Sequence, residues 1–260
     1  MRINGSLPDR YTESVDRGMH IVAQRDHHDA VRASLARETL HVWAARQPGA
    51  RPLQGRGVAW ATRLSSGLDV VVRHSQHGGL LAPLTRDFFL APSRAPRELE
   101  VSLRLRNAGI PTPDVVAYVT YPAVGPFCRA DVATALVAGG DLPTAWADSP
   151  SPAARDAIVD SVGALLRGLR TAGAHHPDLN VKNVFISAVG GAPLAWVLDV
   201  DRVTFGPPDD ARTAQKNVTR LTASIEKWRS GRGLDFTGDY QRRLALAADL
   251  ESDVRRVESK

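Results

Sequence analysis

The sequence predicts an α+β fold of two lobes, on three observations. Short apolar runs of strand character fill the first half, longer stretches with helical periodicity fill the second, and Gly139-Gly140 stands between them as a hinge. With 260 residues, of which 43% are hydrophobic and 23% charged, the chain can bury a sizeable core and is not of disordered composition. The division is placed at 137/138. Residues 1–137 hold the N-terminal region and the first lobe, with a Gly-rich loop, a sheet and one regulatory-type helix, and residues 138–260 hold the second lobe, with the catalytic loop and metal site.

Taken in order, Val31 to Ala45 carries Val31, Leu35 and Val42 on a loose helical stripe, which Pro48 and Gly49 end. Val58 to Leu64 and Leu68 to Arg73 read as two strands joined by the turn Ser65-Ser-Gly67, with Gly55-Arg-Gly57 at the entrance to the hairpin. Pro96 to Asn107 reads as a short helix with Glu98, Val101 and Leu105 on one face, and Asn107-Ala-Gly109 closes it. Pro111 and Pro113 interrupt the chain, and Val115–Tyr121 and Cys128–Leu136 follow as a second strand pair. Beyond the glycines, Ser149-Pro-Ser-Pro152 opens a helix whose Ile158, Val162, Leu165, Leu166 and Leu169 share a face and whose end is Ala172-Gly173. A further helix spans about Ala214 to Trp228. Val218, Leu221, Ile225 and Trp228 form its apolar face, and Lys216, Arg220 and Lys227 form a solvated basic face opposite. A charged amphipathic stretch from about Asp239 reads as a terminal helix.

Composition narrows the classes. One cysteine, Cys128, excludes an internal disulfide and fits a reducing compartment. No apolar run approaches the roughly 20 residues of a membrane span, and Met1 to Asp16 is polar without a secretory core, so a cytoplasmic protein is expected. A net charge of +5 and a pI of about 9.8 favour anionic partners. The basic residues are not interleaved with aromatics as a nucleic-acid stacking platform requires, so no nucleic-acid partner is expected.

The chemistry concentrates in His176-Pro-Asp178-Leu-Asn180-Val-Lys-Asn183 and in Asp199-Val-Asp201. Asp178 precedes Asn183 by five residues. Then come an apolar run from Val184, the turn Gly190-Gly191, a second apolar run to Leu198, and Asp199. This is the order a kinase catalytic loop needs. Asp178 would orient a hydroxyl and take its proton. Asn183 and Asp199 would hold Mg²⁺, a hard cation suited to oxygen ligands, with nucleotide phosphates completing its shell. Gly55 and Gly57 would let backbone amides approach those phosphates. His176 reads as a structural residue of the loop, and Asn180 equally as a brace or a phosphate contact. Asp201 reads as a partner of Arg202 or Arg129 before a second metal ligand. The pairs His27-His28 and His175-His176, and His74-x-x-His77, lack the cysteines or acids of a zinc site.

Several segments together resemble the lipopolysaccharide kinase (Kdo/WaaP) family. They are Gly55-Arg-Gly57, Val72-Arg73-His74 with Gly78-Gly79-Leu80, Arg97-Glu98-Leu99, Gly109-Ile-Pro-Thr-Pro113 and Cys128-Arg-Ala-Asp131. They continue with His176-Pro-Asp-Leu-Asn180, Leu198-Asp-Val-Asp-Arg202 and Asn217-Val-Thr-Arg-Leu221, and span about Gln54 to Trp228. The resemblance implies a protein-kinase-like fold, with ATP under the Gly55–Gly57 loop, adenine near Ala135 to Ala138, and the site in the cleft between the lobes. It implies transfer to the 4-hydroxyl of 3-deoxy-D-manno-octulosonic acid (Kdo) on a lipid A precursor, by a protein lying peripherally on the cytoplasmic face of the inner membrane. Where protein kinases carry a strand Lys that pairs with phosphates and a helix Glu, this chain has Arg73, and Glu98 is its implied partner; a guanidinium can serve both bidentately. Val200 and Asp201 replace the Phe and Gly of the usual Asp-Phe-Gly, and Ser75 stands where the family has an aromatic. Alternatives are a heptose kinase of the same family, an aminoglycoside-like phosphotransferase, and a pseudokinase binding module. The last would be marked by loss of Asp178, Asn183 or Asp199, all of which are present. Oligomeric state is not legible.

Overall fold

The computed structural model describes residues 7–53, 58–75, 89–90, 93–123, 125, 127–149 and 151–248. Residues up to Glu100 together with Asp114–Leu136 form one compact unit, and Val101–Pro113 together with the residues from Val137 onward form a second. Residues 101–113, grouped with the first lobe on sequence, therefore belong to the second. Val101, Leu105 and Ile110 are buried in the same core as Leu165 and Leu169.

In the first unit, the strands are β1 (Tyr11–Asp16), β2 (Met19–Gln24), β3 (Arg51–Leu53), β4 (Ala59–Arg63), β5 (Asp69–His74), β6 (Phe89–Leu90), β7 (Val115–Pro122) and β8 (Phe127–Ala135). Among the described residues they make one antiparallel sheet in the order β1-β2-β7-β8-β5-β4-β3, with β6 also against β8. The β1–β2 hairpin is absent from the sequence reading. Its turn has positive φ at both Arg17 and Gly18, a geometry that Asn-Gly would have announced and Arg-Gly does not.

The single helix expected over Val31 to Ala45 is two, α1 (His28–Ser34) and α2 (Leu40–Arg46). Extended Thr39 breaks the run and caps α2, its hydroxyl accepting the Val42 N–H. The N-terminus of α2 is tied to the sheet by a buried carboxylate. Asp131, fully buried, accepts from the His41 N–H (2.9 Å) and the Tyr121 hydroxyl (2.9 Å), and pairs with His74 Nδ1 at 2.5 Å. Tyr121 in turn accepts the Leu40 N–H at 2.8 Å. A buried carboxylate is tolerable only with such a complete set of donors, which explains the Asp of Cys128-Arg-Ala-Asp131. The core beneath includes Ile21, Val31, Leu40, Val70, Val72 and Val119.

The boundary falls within α3 (Ala95–Asn107). The second unit continues with β9 (Gly140–Asp141), α4 (Leu142–Ala147), α5 (Pro152–Thr171), β10 (Ala174–His175), β11 (Val184–Val189), β12 (Ala192–Val197), β13 (Thr204–Phe205), α6 (Ala211–Arg232) and α7 (Gly238–Ala247). Gly139 has a packing role. Its φ is +145°, and a Cβ there would lie 2.1 Å from the Ile186 carbonyl oxygen, so glycine is needed for β9 to lie against β11. α5 begins at Ser151, which accepts the Ala154 N–H, and buries Ile158, Val162, Leu165, Leu166 and Leu169 as its periodicity predicts. α6 begins at Asp210, whose carboxylate accepts the Thr213 N–H and hydroxyl and is held below the usual range by those bonds. Among the described residues no helix is long and apolar enough to cross a membrane.

Candidate active site

The loop between β10 and β11 is fixed by alternation. Leu179 and Val181 are fully buried in the second unit's core, so Asp178, Asn180, Lys182 and Asn183, interleaved with them, are turned outward. Buried His176 holds the start of the loop. Its Nδ1 accepts the Asp178 N–H (3.2 Å), and its Nε2 donates to the Leu198 carbonyl (2.9 Å). This bonding selects the Nε2–H tautomer and occupies both nitrogens, as a structural residue requires. Neighbouring His175 is held below the ordinary histidine range by burial first, and then by the positive charge of Lys216.

The amides tighten the loop from inside. Asn183 Nδ2 donates to the Asp178 carbonyl (2.8 Å), as does Asn180 Nδ2 (3.0 Å). Asn180 Oδ1 accepts the N–H groups of Lys182 and Asn183, so Asn180 braces the loop. The Asn183 NH₂ is thus engaged within the loop, and its Oδ1 is the atom that could serve a cation. Opposite it, β11 and β12 pair in register, Val184 facing Val197, and the Leu198 N–H donates to the Asn183 carbonyl at 2.9 Å. That bond brings Asp199 next to Asn183. Asp199 is exposed and left-handed (φ 58°, ψ 52°), a strained conformation that Asp tolerates better than most residues. A short 3₁₀ turn, Val200–Arg202, follows with Val200 buried, and this turn contains Asp201. The donor set offered by Asn183 and Asp199 is an amide and a carboxylate oxygen. It fits a hard divalent cation that draws the rest of its shell from phosphates and water. Among the described residues no three His, Cys, Asp or Glu side chains converge on a metal position.

A polar stripe on α6 completes the site. Asn217, almost fully buried, accepts the His176 N–H through Oδ1 (3.0 Å) and donates to the Ala174 carbonyl (2.8 Å). One turn on, Arg220 Nη2 donates to Asp178 Oδ1 at 2.6 Å, and one turn further Ser224 Oγ accepts the Val181 N–H at 3.2 Å. Lys182 pairs with Asp141 at 2.5 Å and lies 5.1 Å from the Trp228 ring centroid. The sequence reading placed Arg220 on a solvated face and assigned no role to Asn217 or Ser224. The signal that would have found them is helical spacing among polar residues, 217, 220 and 224, on a helix following the loop.

In the first unit, Arg73 on β5 forms an ion pair with Glu98 of α3. Glu98 is buried, so the guanidinium compensates a carboxylate withdrawn from water. Gly55, Gly57, His77 and Gly78-Gly79-Leu80 lie outside the described residues. His74 is engaged by Asp131, and His27 and His28 bond to Ser66 and Ser14 hydroxyls.

Residues 40–245 match the profile of the Lipopolysaccharide kinase (Kdo/WaaP) family. The chain belongs to this family. It is an ATP-dependent kinase that phosphorylates a hydroxyl group. Among similar curated proteins, a 3-deoxy-D-manno-octulosonic acid kinase of Actinobacillus succinogenes is 30% identical over 199 residues, covering 74% of this chain and 81% of that protein. One from Xanthomonas oryzae pv. oryzae is 32% identical over 200 residues, covering 74% and 77%. A solved structure titled "WaaP in complex with acyl carrier protein" superposes with a TM-score of 0.58, at 17% identity, over 90% of this chain and 92% of that one. It shows the shared protein-kinase-like fold.

Proposed function

We propose that this kinase transfers the γ-phosphoryl group of ATP to the 4-hydroxyl of Kdo on a lipid A precursor, at the cytoplasmic face of the inner membrane. The observation that carries the reading is the Asp178 loop, its backbone carbonyl held by Asn180 and Asn183 and its carboxylate by Arg220, in a chain whose curated relatives are named Kdo kinases. Asp178 accepts the proton of the sugar hydroxyl as that oxygen bonds to the γ-phosphorus and the bond from phosphorus to the bridging oxygen of ADP breaks. Asn183 and Asp199 would hold Mg²⁺, which when bound would supply charge neutralisation on the phosphates. Arg73, held by Glu98, serves as the phosphate-side cation in place of the usual Lys, and Gly55 and Gly57 provide the backbone approach to the phosphates. Catalysis is then positioning and electrostatics, with no covalent enzyme intermediate.

The test is the product. After incubation of Kdo-lipid A with ATP and Mg²⁺, phosphorus–proton correlation NMR should place a new phosphate on C4 of Kdo. Phosphate at another position, or transfer only to heptosylated core acceptors, contradicts the reading.

A further inference from the structure

Arg220 is an odd neighbour for a general base. Its guanidinium lies 2.6 Å from the Asp178 carboxylate, where the acceptor's hydroxyl must arrive. The loop does not need Arg220 for its shape, because His176, Asn180, Asn183 and Asn217 already brace its backbone. Nor is the pair a sealed structural bridge. The Asp178 side chain is 14% exposed, whereas that of Arg220 is 49% exposed. Among the described residues Arg220 uses only Nη2, in the bond to Asp178, which leaves its other N–H donors on the solvent side, beside the oxygen that would receive the acceptor's proton.

A guanidinium is a planar fork that serves two anions at once, one on each edge. With one edge on Asp178, the other suits a carboxylate or phosphate carried by the molecule whose hydroxyl reaches Asp178. Kdo is a sugar acid. Its carboxylate is borne on C2 and the reacting hydroxyl on C4, with one ring carbon between them, a separation that a guanidinium bridges. Heptose carries no such carboxylate. Resting on the Kdo reading above, the geometry points to Arg220 as the residue that recognises the acceptor's carboxylate, selecting sugar acids over neutral sugars.

The experiment compares two acceptors, Kdo-lipid A and the same molecule with the Kdo carboxylate methyl-esterified, on wild type, Arg220→Gln and Arg220→Lys. In the wild type, esterification should lower kcat/KM by about 30-fold, the effect of one charge-assisted contact. Arg220→Gln should be slow on the free acid and should distinguish the two acceptors by less than about threefold, and Arg220→Lys should retain part of the discrimination. KM for ATP should be unchanged in all three. Arg220→Gln with the full preference for the free acid overturns the assignment, because Arg220 would then act on Asp178 alone. A wild type that phosphorylates both acceptors equally overturns it too, while leaving the Kdo reading intact. A wild type that phosphorylates neither sinks the Kdo reading and this inference with it.

Discussion

Asn217 closes the base of the catalytic loop with two hydrogen bonds, one to the His176 N–H and one to the Ala174 carbonyl, in a nearly solvent-free position. Truncating it strands a buried donor and a buried acceptor together. Asn217→Ala should therefore lose about 2–4 kcal/mol in urea unfolding, whereas Ser224→Ala, which removes a single part-buried bond, should lose about 1 kcal/mol. Equal losses would show that Asn217 is not the anchor. At this scale the spacing of Asp178, Asn183 and Asp199 around two apolar runs is plain in the sequence, and the two runs pair as β11 and β12. Asn217 and Arg220 were hidden. Hydropathy marks the apolar face of α6 at Val218, Leu221 and Ile225, and a polar stripe beside it looks like any solvated face until the packed partner is known.

Elements are placed by a few backbone requirements. Gly173 ends α5 with φ +62°, and an added Cβ would meet the Gly206 and Pro207 carbonyl oxygens, each at 2.5 Å. Gly233 ends α6 with φ +67° and nothing within 4 Å. Both glycines relieve left-handed strain, but only Gly173 also permits a close chain crossing just before the catalytic loop. Gly173→Ala should cost about 3 kcal/mol and Gly233→Ala about 1 kcal/mol in thermal or urea unfolding. A small effect at Gly173 would mean that the crossing is soft. Long amphipathic helices such as α5 and α6 were legible because a repeated apolar period is a strong signal. The β1–β2 hairpin, the break at Thr39 and short α4 were not, since each depends on one turn or cap with no periodicity to announce it. Gly139 was legible as special but its packing role was not, because a glycine needed for close backbone approach and one needed for motion look alike in sequence.

The whole molecule carries a net charge of +5 with a pI of about 9.8. If the acceptor is met on an anionic membrane face, attraction between exposed charges should govern that encounter and be screened by salt. Phosphorylation of Kdo-lipid A in anionic vesicles should fall several-fold as salt rises from about 0.05 M to about 0.5 M. Transfer to a water-soluble Kdo glycoside should change far less. Equal salt dependence for both acceptors would argue against a membrane encounter. The family was legible from the order of the motif segments along the chain, whereas the grouping of residues 101–113 with the second unit depended on packing that no local signal encodes. The most direct test of the central claim is mass spectrometry of Kdo-lipid A after incubation with ATP, Mg²⁺ and either wild type or Asp178→Asn. One added phosphate on Kdo with wild type, slowed about 10²- to 10⁴-fold in the variant while Mg-ATP binding is kept, is the predicted result. A variant as active as wild type would remove Asp178 from the chemistry and contradict the account at its core.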